Sequence, residues 1–477
     1  MAALHRKQIL PIVMREDRMK RPLFDHQKRR GLPAFMTIRM VKLDSTLRST
    51  LVALAMALAP SLGLAQESEK PDIALIIIDD IGVDRIAAYA AHPDPGNTPN
   101  IDRLAESGLL FRRAYANPLC SPTRAMMLTG RYSFRTEIGT IMRNQKVVRP
   151  GLSIDEVSIP DALPKEYRSS AFGKWHLGNK EQFPSHPLDL GFDYFSGTRS
   201  NLNIEPVPGS EYFCWRKTVM GKEIPTFEYA TKVLADDVIE HVAKPGGPDF
   251  LWIAPHAAHT PLHAPPDDLH SFELSGEPAD TPVEHGKAII EALDAEIGRI
   301  LKSLDPNTIV IVIGDNGTSG EITSAPYPSD HGKGTVHEGG VHVPLIISGP
   351  GVTHGECDAM VLATDLFATI VELAGGESKA TDSISLLPYF KEPAHASLRE
   401  TIYVERFKPN GPAPYKDWMQ GIRGERFKLI RSKQGEDQFY DLREDPFEQQ
   451  DLIALDRMGE EEQSAFDRLA SKLPHRF

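Results

Sequence analysis

Ile73-Ala74-Leu75-Ile76-Ile77-Ile78-Asp79-Asp80-Ile81-Gly82 is the stretch that decides the fold. An apolar run without polar alternation cannot make a strand with one wet face. It reads as a strand buried on both sides, as in a parallel sheet. The run then breaks into two adjacent carboxylates and a glycine, which puts functional groups at the strand's C-terminal end. The pattern returns in Thr308-Ile309-Val310-Ile311-Val312-Ile313, followed by Gly314-Asp315-Asn316-Gly317. Phe250-Leu251-Trp252-Ile253-Ala254, ending in Pro255-His256, is a third such strand. Thr98-Pro99-Asn100 opens a helix that Gly108 stops, with Thr98 suited to cap it and Pro99 to its first turn. Residues 284–304 read as a further helix. Strand, polar tip and helix in repetition predict an α/β fold, a large mixed, mostly parallel sheet sandwiched by helices.

Near residue 396 the texture changes. Residues 401–405, 426–431 and 438–442 read as short strands joined by polar turns, and the final residues as a helix. This predicts a main domain over 71–395 and a small C-terminal antiparallel α+β subdomain over 396–477. Residues 196–228, rich in Pro, Gly and aromatics, read as an irregular loop.

With 477 residues the chain can bury a large core, and 41% hydrophobic with 25% charged residues excludes a disordered chain. Twelve Lys/Arg and four Asp/Glu in residues 1–50 make +8, which leaves −21 for the remainder of a chain of formal charge −13. So acidic a body argues against nucleic acid as a partner. Residues 51–65 form an apolar run that ends in small residues, follows Lys42 and Arg48, and is interrupted by Pro60. These features predict an export signal cleaved after Ala65, so that 1–65 is an N-terminal extension and signal peptide. Translation is then expected to start at Met36 or Met40, and the mature protein to be periplasmic or secreted, without a stable membrane span. A membrane anchor is the competing reading, and the short length works against it.

Asp79, Asp80, Asp315 and Asn316 close two core strands. Oxygen ligands of this kind suit a hard divalent cation, calcium or magnesium, over zinc. Asp and Asn are also ordinary turn residues. Two such pairs at neighbouring strand tips, however, repel unless something cationic lies between them. A further cluster is Pro118-Leu119-Cys120-Ser121-Pro122-Thr123-Arg124, which runs on to Thr129-Gly130-Arg131. A lone cysteine is commonly a buried apolar or redox residue.

The order Cys120-x-Pro122-x-Arg124, an apolar stretch, then Thr129-Gly130-Arg131 resembles the modification site of type I, formylglycine-dependent sulfatases. These are arylsulfatase-like members of the alkaline phosphatase superfamily. Gly173-Lys174-Trp175-His176-Leu177-Gly178 resembles the family's second motif. His259-Thr260-Pro261-Leu262-His263-Ala264-Pro265 and the run from His331 to Gly340 resemble two more of its segments. Phe439-Tyr440-Asp441-Leu442 with Asp445-Pro446 recurs near its C-terminus. The resemblance spans residues 71 to about 455. It implies an alkaline-phosphatase-like fold, makes 71–395 the catalytic domain, and implies hydrolysis of sulfate esters to alcohol and inorganic sulfate.

It also implies roles. Cys120 would be oxidised by a formylglycine-generating maturation enzyme to formylglycine, whose hydrate is the nucleophile and carries a covalent sulfated intermediate. Asp79, Asp80, Asp315, Asn316 and the converted Cys120 would bind calcium, with magnesium the alternative. Arg124 would hold the hydrate, and Lys174 and Lys333 the sulfate oxygens. His176 would deprotonate the second hydroxyl, and His259 would protonate the leaving oxygen. Asn201 or Ser200 would add a hydrogen bond to the sulfate. His256 and His263 read as structural or as substrate contacts. His337 and His342 stand where the family often has Tyr and Arg, and read as structural or as part of the pocket rim. With Cys120 converted, Cys214 and Cys357 could pair. The substrate would be a small-molecule or glycan sulfate ester.

Competing readings are a phosphonate monoester or phosphodiester hydrolase on the same scaffold and a non-catalytic binder of sulfated glycans. The first needs the same in-line geometry. The second would have lost groups such as Lys174 and His176, which are present. A two-zinc alkaline phosphatase lacks its Ser or Thr nucleophile and second metal shell here. Oligomeric state leaves no mark in the sequence.

Overall fold

Every residue of Ile73–Ile78 is buried, and this strand, β1, lies inside a ten-stranded sheet. The computed structural model describes residues 70–142, 150–202 and 211–474. The export segment expected at 51–65, with Met36 and Met40, lies outside the described residues. The other strands of the sheet are β2 (Leu109–Tyr115), β3 (Arg168–Lys174), β4 (Tyr194–Thr198), β5 (Trp215–Val219) and β6 (Lys222–Thr226). They continue with β7 (Asp249–Ala254), β8 (Ile309–Gly314), β9 (Leu345–Ser348) and β10 (Gly355–Leu362). Their order is β10-β2-β9-β8-β1-β7-β3-β4-β5-β6, and β5 and β9 alone run against the rest. β1 pairs in parallel with β8 on one side and β7 on the other, Ile76 facing Val312 and Ile253.

Because side chains alternate across a strand, β1 feeds two cores. Ile73, Leu75 and Ile77 pack with Met127 and Leu128 of α2 (Cys120–Thr129) and Phe367 and Ile370 of α5 (Asp365–Leu373). Ala74, Ile76 and Ile78 pack with Ile101 of α1 (Pro99–Ser107), Val233 of α3 (Ala230–Val242) and Ile289 and Leu293 of α4 (Pro282–Ser303). Each large aliphatic side chain so buried contributes about 1.5–3 kcal/mol. The expected helix-covered, mostly parallel sheet is therefore what forms.

The second sheet is antiparallel, in sequence order β11 (Ile402–Lys408), β12 (Asp417–Arg423), β13 (Phe427–Ser432) and β14 (Gln438–Asp441). Its one face packs Val404, Ile430 and Tyr440 against Tyr115, Met126 and Val336. Its other face packs Leu429 and Phe439 under Leu469 of α6 (Glu460–Lys472).

Two local expectations are corrected. Residues 196–228 are not simply a loop, since β5 and β6 form a hairpin on the end of the main sheet. Its two-residue turn, Met220-Gly221, has φ of 46° and 83°. Tight hairpins favour such positive values, but Met lacks the usual Asn or Asp signature. Pro225 also disguised β6, and is tolerated because β6 is an edge strand. Thr98 holds the N-cap position of α1 without capping it, its hydroxyl donating instead to Asp102. The Asp294 carboxylate accepts from the amides of Asn100 and Ile101, so α4 caps α1.

Candidate active site

The C-terminal ends of β1, β8, β3 and β7 converge with the N-terminus of α2, and each brings a different group. β1 delivers Asp79 and Asp80, β8 delivers Asp315 and Asn316, and all four are buried. These two loops are stitched by the Asp315 amide donating to the Ile78 carbonyl at 3.1 Å. β3 ends in Lys174, two residues before His176, and the chain beyond β7 carries His256 and His259. Gly173 has φ +87°, and a Cβ there would lie 2.1 Å from the Ala254 carbonyl oxygen, so β3 must be glycine beside β7. Asp80 and His176 adopt left-handed φ of 60° and 62°. Such backbone costs about 1–2 kcal/mol per non-glycine residue and persists where the surroundings over-determine it.

Cys120 is the first residue of α2 and is 0% exposed, with its Sγ 3.5 Å from Asp79 Oδ1 and 3.9 Å from Asp80 Oδ1. Arg124, one turn on, donates from Nε to Asp315 Oδ2 at 2.9 Å and from Nη1 to the Lys174 carbonyl at 2.6 Å. A further Arg124 nitrogen lies 3.5 Å from Asp79 Oδ2. Lys174 Nζ donates to Asp79, and Lys333 Nζ lies 2.6 and 2.7 Å from the two oxygens of Asp80. Asp79, Asp80, Asp315 and Cys120 each bring a ligand atom within 4.8 Å of the others. Three carboxylates thus face three basic side chains in a buried cage. A bound dication would leave that cage positive, in a chain whose body is strongly acidic.

The electrostatics follow. Burial and the charges of Asp315 and Asp79 push the Cys120 thiol well above its usual range. Burial raises Asp79, but Lys174 and Arg124 outweigh it and hold the carboxyl well below the usual range. Burial and the neighbouring Asp79 push Asp315 up to about 6, against the pull of Arg124. The Asn316 amide donates to Asp80 Oδ1 at 2.9 Å, while its own Oδ1 is buried without a partner. An orphaned oxygen beside three carboxylates is what an oxygen-ligated cation would satisfy, so the residues fit a hard divalent ion.

His176 Nε2 lies 3.2 Å from the Met142 carbonyl, which can only accept, so Nε2 carries the proton. Nδ1 is then a bare, buried and unpartnered acceptor. Burial, with Lys174 and Arg124 nearby, holds the ring's pKa well below its usual value. His259 donates from Nδ1 to the Thr260 carbonyl at 2.7 Å, and its Nε2 lies 2.8 Å from the Asn201 amide nitrogen and 3.7 Å from Asp80. Burial lowers His259 to about 4, against the opposing pull of Asp80. Asn201 Oδ1 is buried without a partner, so turning the amide over would offer an acceptor to a protonated His259.

The structure brings together Cys120, Arg124, Lys174, Lys333, His259, Asp79, Asp80, Asp315 and Asn316, with His176 adjoining. It places Asn201 on His259. It takes His337 and His342 off the rim. His337 is buried and stacks on His331 at 3.7 Å, and His342 stacks on Tyr115 with Nε2 on the Arg112 carbonyl at 2.8 Å. Cys214 and Cys357 are both free, and lie toward opposite ends of the sheet, before β5 and within β10, too far apart to pair. His256 is buried with Nε2 2.7 Å from the Thr198 hydroxyl and Nδ1 unpartnered. Sequence reasoning passed over Thr318 and Tyr212. Thr318 Oγ1 accepts from the Gly82 amide at 3.1 Å and donates to Asp84 at 2.6 Å, while its carbonyl accepts from the Lys333 amide at 3.0 Å. The Tyr212 hydroxyl lies 2.7 Å from the carbonyl oxygens of both His256 and His259. Neither residue carries a local signal, because each acts by joining segments distant in the chain.

Known proteins share this arrangement of chain. The family model described as Sulfatase matches residues 71–376, and that described as N-sulphoglucosamine sulphohydrolase, C-terminal, matches residues 330–473. N-acetylgalactosamine-6-sulfatase of Homo sapiens is 32% identical over 369 residues, covering 69% of this chain and 67% of the relative. Arylsulfatase A of Bos taurus is 29% identical over 393 residues, covering 74% and 75%. Among solved structures, Ps i-CgsB in complex with k-i-k-neocarrahexaose superposes with a TM-score of 0.70 at 26% identity, covering 84% of this chain and 92% of that one.

Proposed function

The chain belongs to the sulfatase family of sulfuric ester hydrolases, and from that premise we propose that it cleaves sulfate esters through a formylglycine made from Cys120 and a hard divalent cation. The observation that carries this is the cage itself, in which Cys120 heads a helix against carboxylates that are matched by Arg124, Lys174 and Lys333. At 0% exposure Cys120 is out of a maturation enzyme's reach once the chain has folded, so conversion belongs before folding is complete. Formylglycine would supply, as its hydrate, a nucleophilic oxygen for sulfur and a second hydroxyl whose deprotonation releases sulfate. Asp79, Asp80, Asp315 and Asn316 would hold calcium or magnesium, whose charge neutralises the carboxylates and polarises the attacking oxygen.

The chain's own residues do the rest. The N-terminus of α2 stabilises negative charge at position 120. Arg124, braced by Asp315 and the Lys174 carbonyl, orients that side chain. Lys174 and Lys333 exchange their carboxylate contacts for sulfate oxygens. His176, with Nδ1 bare, takes the proton of the second hydroxyl. An anionic ester in the pocket raises the proton affinity of His259, and a turned Asn201 amide holds the protonated Nε2 toward the leaving oxygen. We take a sulfated sugar as the substrate class, in keeping with the sugar-named human relative and the structural neighbour in complex with neocarrahexaose. Residues 51–65 would export the chain. Among the described residues no helix is long and apolar enough to cross a membrane.

The test is mass spectrometry of the peptide around position 120 from active protein. Sulfur should be replaced by oxygen with two hydrogens lost, and Cys120→Ala should abolish turnover. Fully active protein with intact Cys120 would overturn the mechanism. Rates on an aryl sulfate and an aryl phosphate diester, side by side, separate sulfuryl from phosphoryl transfer.

A further inference from the structure

One buried phenol grips the turn that follows β7. Tyr212 comes from the segment ahead of β5, where the Glu211 amide bonds to the Cys214 carbonyl at 3.1 Å and the Cys214 amide to the Glu211 carbonyl at 3.3 Å. The Tyr212 carbonyl accepts from the Ala230 amide at 2.9 Å, which fixes it to the start of α3. Its side chain is buried, and its ring stacks on His263 with centroids 3.9 Å apart. His263 donates from Nδ1 to the Pro261 carbonyl at 2.9 Å, which leaves Nε2 as the acceptor for the Tyr229 hydroxyl at 3.2 Å. The phenol is therefore held by its backbone, by its ring face and, through His263, by Tyr229.

The Tyr212 hydroxyl lies 2.7 Å from the carbonyl oxygens of both His256 and His259, which share its one proton. Burial pushes the phenol well above its usual range, so it stays a donor at any working pH. The two carbonyls flank a single Cα. That of His259 leads into the next peptide, and that of His256 accepts the His259 amide at 2.9 Å. Tyr212 thus grips the backbone of His259 on both sides. The ring then has two torsions left, and the bond from Nδ1 to the Thr260 carbonyl at 2.7 Å sets them. A His259 ring nitrogen, the Cys120 Sγ and an Asp80 oxygen all lie within 4.8 Å of one another, so the gripped residue reaches the cage. Separate bonds hold its neighbours, the Ala258 amide on the Asp79 carbonyl at 2.9 Å and the Asp79 amide on the Ala257 carbonyl at 3.4 Å. Losing the phenol proton therefore releases His259 without undoing the turn.

We propose that Tyr212, backed by His263 and Tyr229, is the positioning residue for His259. As the S–O bond breaks and its electron pair passes to the leaving oxygen, that oxygen takes the Nε2 proton, and Tyr212 sets where the two meet. Proton transfer is sensitive to such placement. Arg124, Lys174 and Lys333 reach the cage from α2, from β3 and from the stretch after β8, none of which this hydroxyl holds. Its loss is therefore selective for esters whose leaving oxygen needs a proton. The proposal deepens the sulfatase reading and rests on it, since it requires His259 to be the proton donor.

The experiment uses the matured, calcium-loaded full chain and two esters. The phenolate of 4-nitrophenyl sulfate leaves with little help, whereas that of phenyl sulfate is a stronger base. Tyr212→Phe should lower kcat/KM for phenyl sulfate about tenfold more than for 4-nitrophenyl sulfate, with the inhibition constant of inorganic sulfate unchanged. His259→Ala should show the same imbalance. Adding Tyr212→Phe to it should change the phenyl sulfate rate by less than about twofold, because the two residues act as one. Tyr229→Phe keeps the Tyr212 hydroxyl and frees only His263, so its imbalance should be about threefold, and it carries the test if Tyr212→Phe does not fold. An even loss on both esters or no loss in the variant that carries the test, a raised inhibition constant, or additive losses in the double variant would overturn the proposal. His259→Ala without an imbalance sinks the role of His259 itself, and matured protein that cleaves neither ester sinks the underlying mechanism.

Discussion

At the scale of single residues, Asn316 is the most telling. Its amide nitrogen is committed to Asp80, and its Oδ1 is buried with no partner. An unsatisfied buried acceptor costs about 1–3 kcal/mol, a cost tolerated where a ligand later relieves it. Calcium should therefore raise the melting temperature of the protein in a concentration-dependent way. Asn316→Leu, which removes the oxygen, should shift the midpoint of that response to at least about tenfold higher calcium. Differential scanning fluorimetry reads this without reference to activity, and an unshifted midpoint would remove Asn316 from the ligand set.

At the scale of elements, the site depends on how strand-end loops are held to one another. Thr318 ties the loop after β1 to the β8–β9 connection, through its hydroxyl to Gly82 and Asp84, and holds the Lys333 stretch of that connection through its carbonyl. Thr318→Val keeps the shape but strands the Gly82 amide and one oxygen of Asp84. It should cost about 1–3 kcal/mol in denaturant unfolding and lower kcat/KM by loosening Asp80, while Thr318→Ser should recover both. Stability lost with kcat/KM intact would mean that the loops hold their places without this hub.

At the scale of the whole molecule, the two sheets are joined by a buried ionic cluster. Lys428 on β13 is 1% exposed and lies 2.9 Å from both Glu338 and Glu448, while Arg423 on β12 lies 2.9 Å from Glu338. Glu338 follows Lys333 by one short stretch, so the second sheet anchors the segment that brings Lys333 to Asp80. Burial pushes Glu448 up to about 7 although Lys428 opposes it. Burial also works against ionisation of Glu338, but Lys428 and Arg423 hold it far below the usual carboxylate range. Lys428→Met leaves both carboxylates without this partner and should destabilise the fold by about 3–5 kcal/mol. Unfolding followed by urea would check this, and a loss under about 1 kcal/mol would mean that the cluster is not what joins the sheets.

The sequence by itself determined the existence of β1, β7 and β8 and the chemistry at their tips. A strand buried on both faces is written as an uninterrupted apolar run, and its end groups are simply the next residues. It also held the motifs that name the family, since these are contiguous. Only the tertiary structure decided that β1 lies beside β8, bringing Asp80 to Asp315 across 235 residues of chain. It alone decided that Asp294 rather than Thr98 caps α1, that 215–226 adds a hairpin to the sheet, and that His337 faces His331 rather than the pocket. The reason is physical: local pattern and propensity say which segments become strands or helices, but which segments meet is set by burial and hydrogen bonding summed over the whole chain.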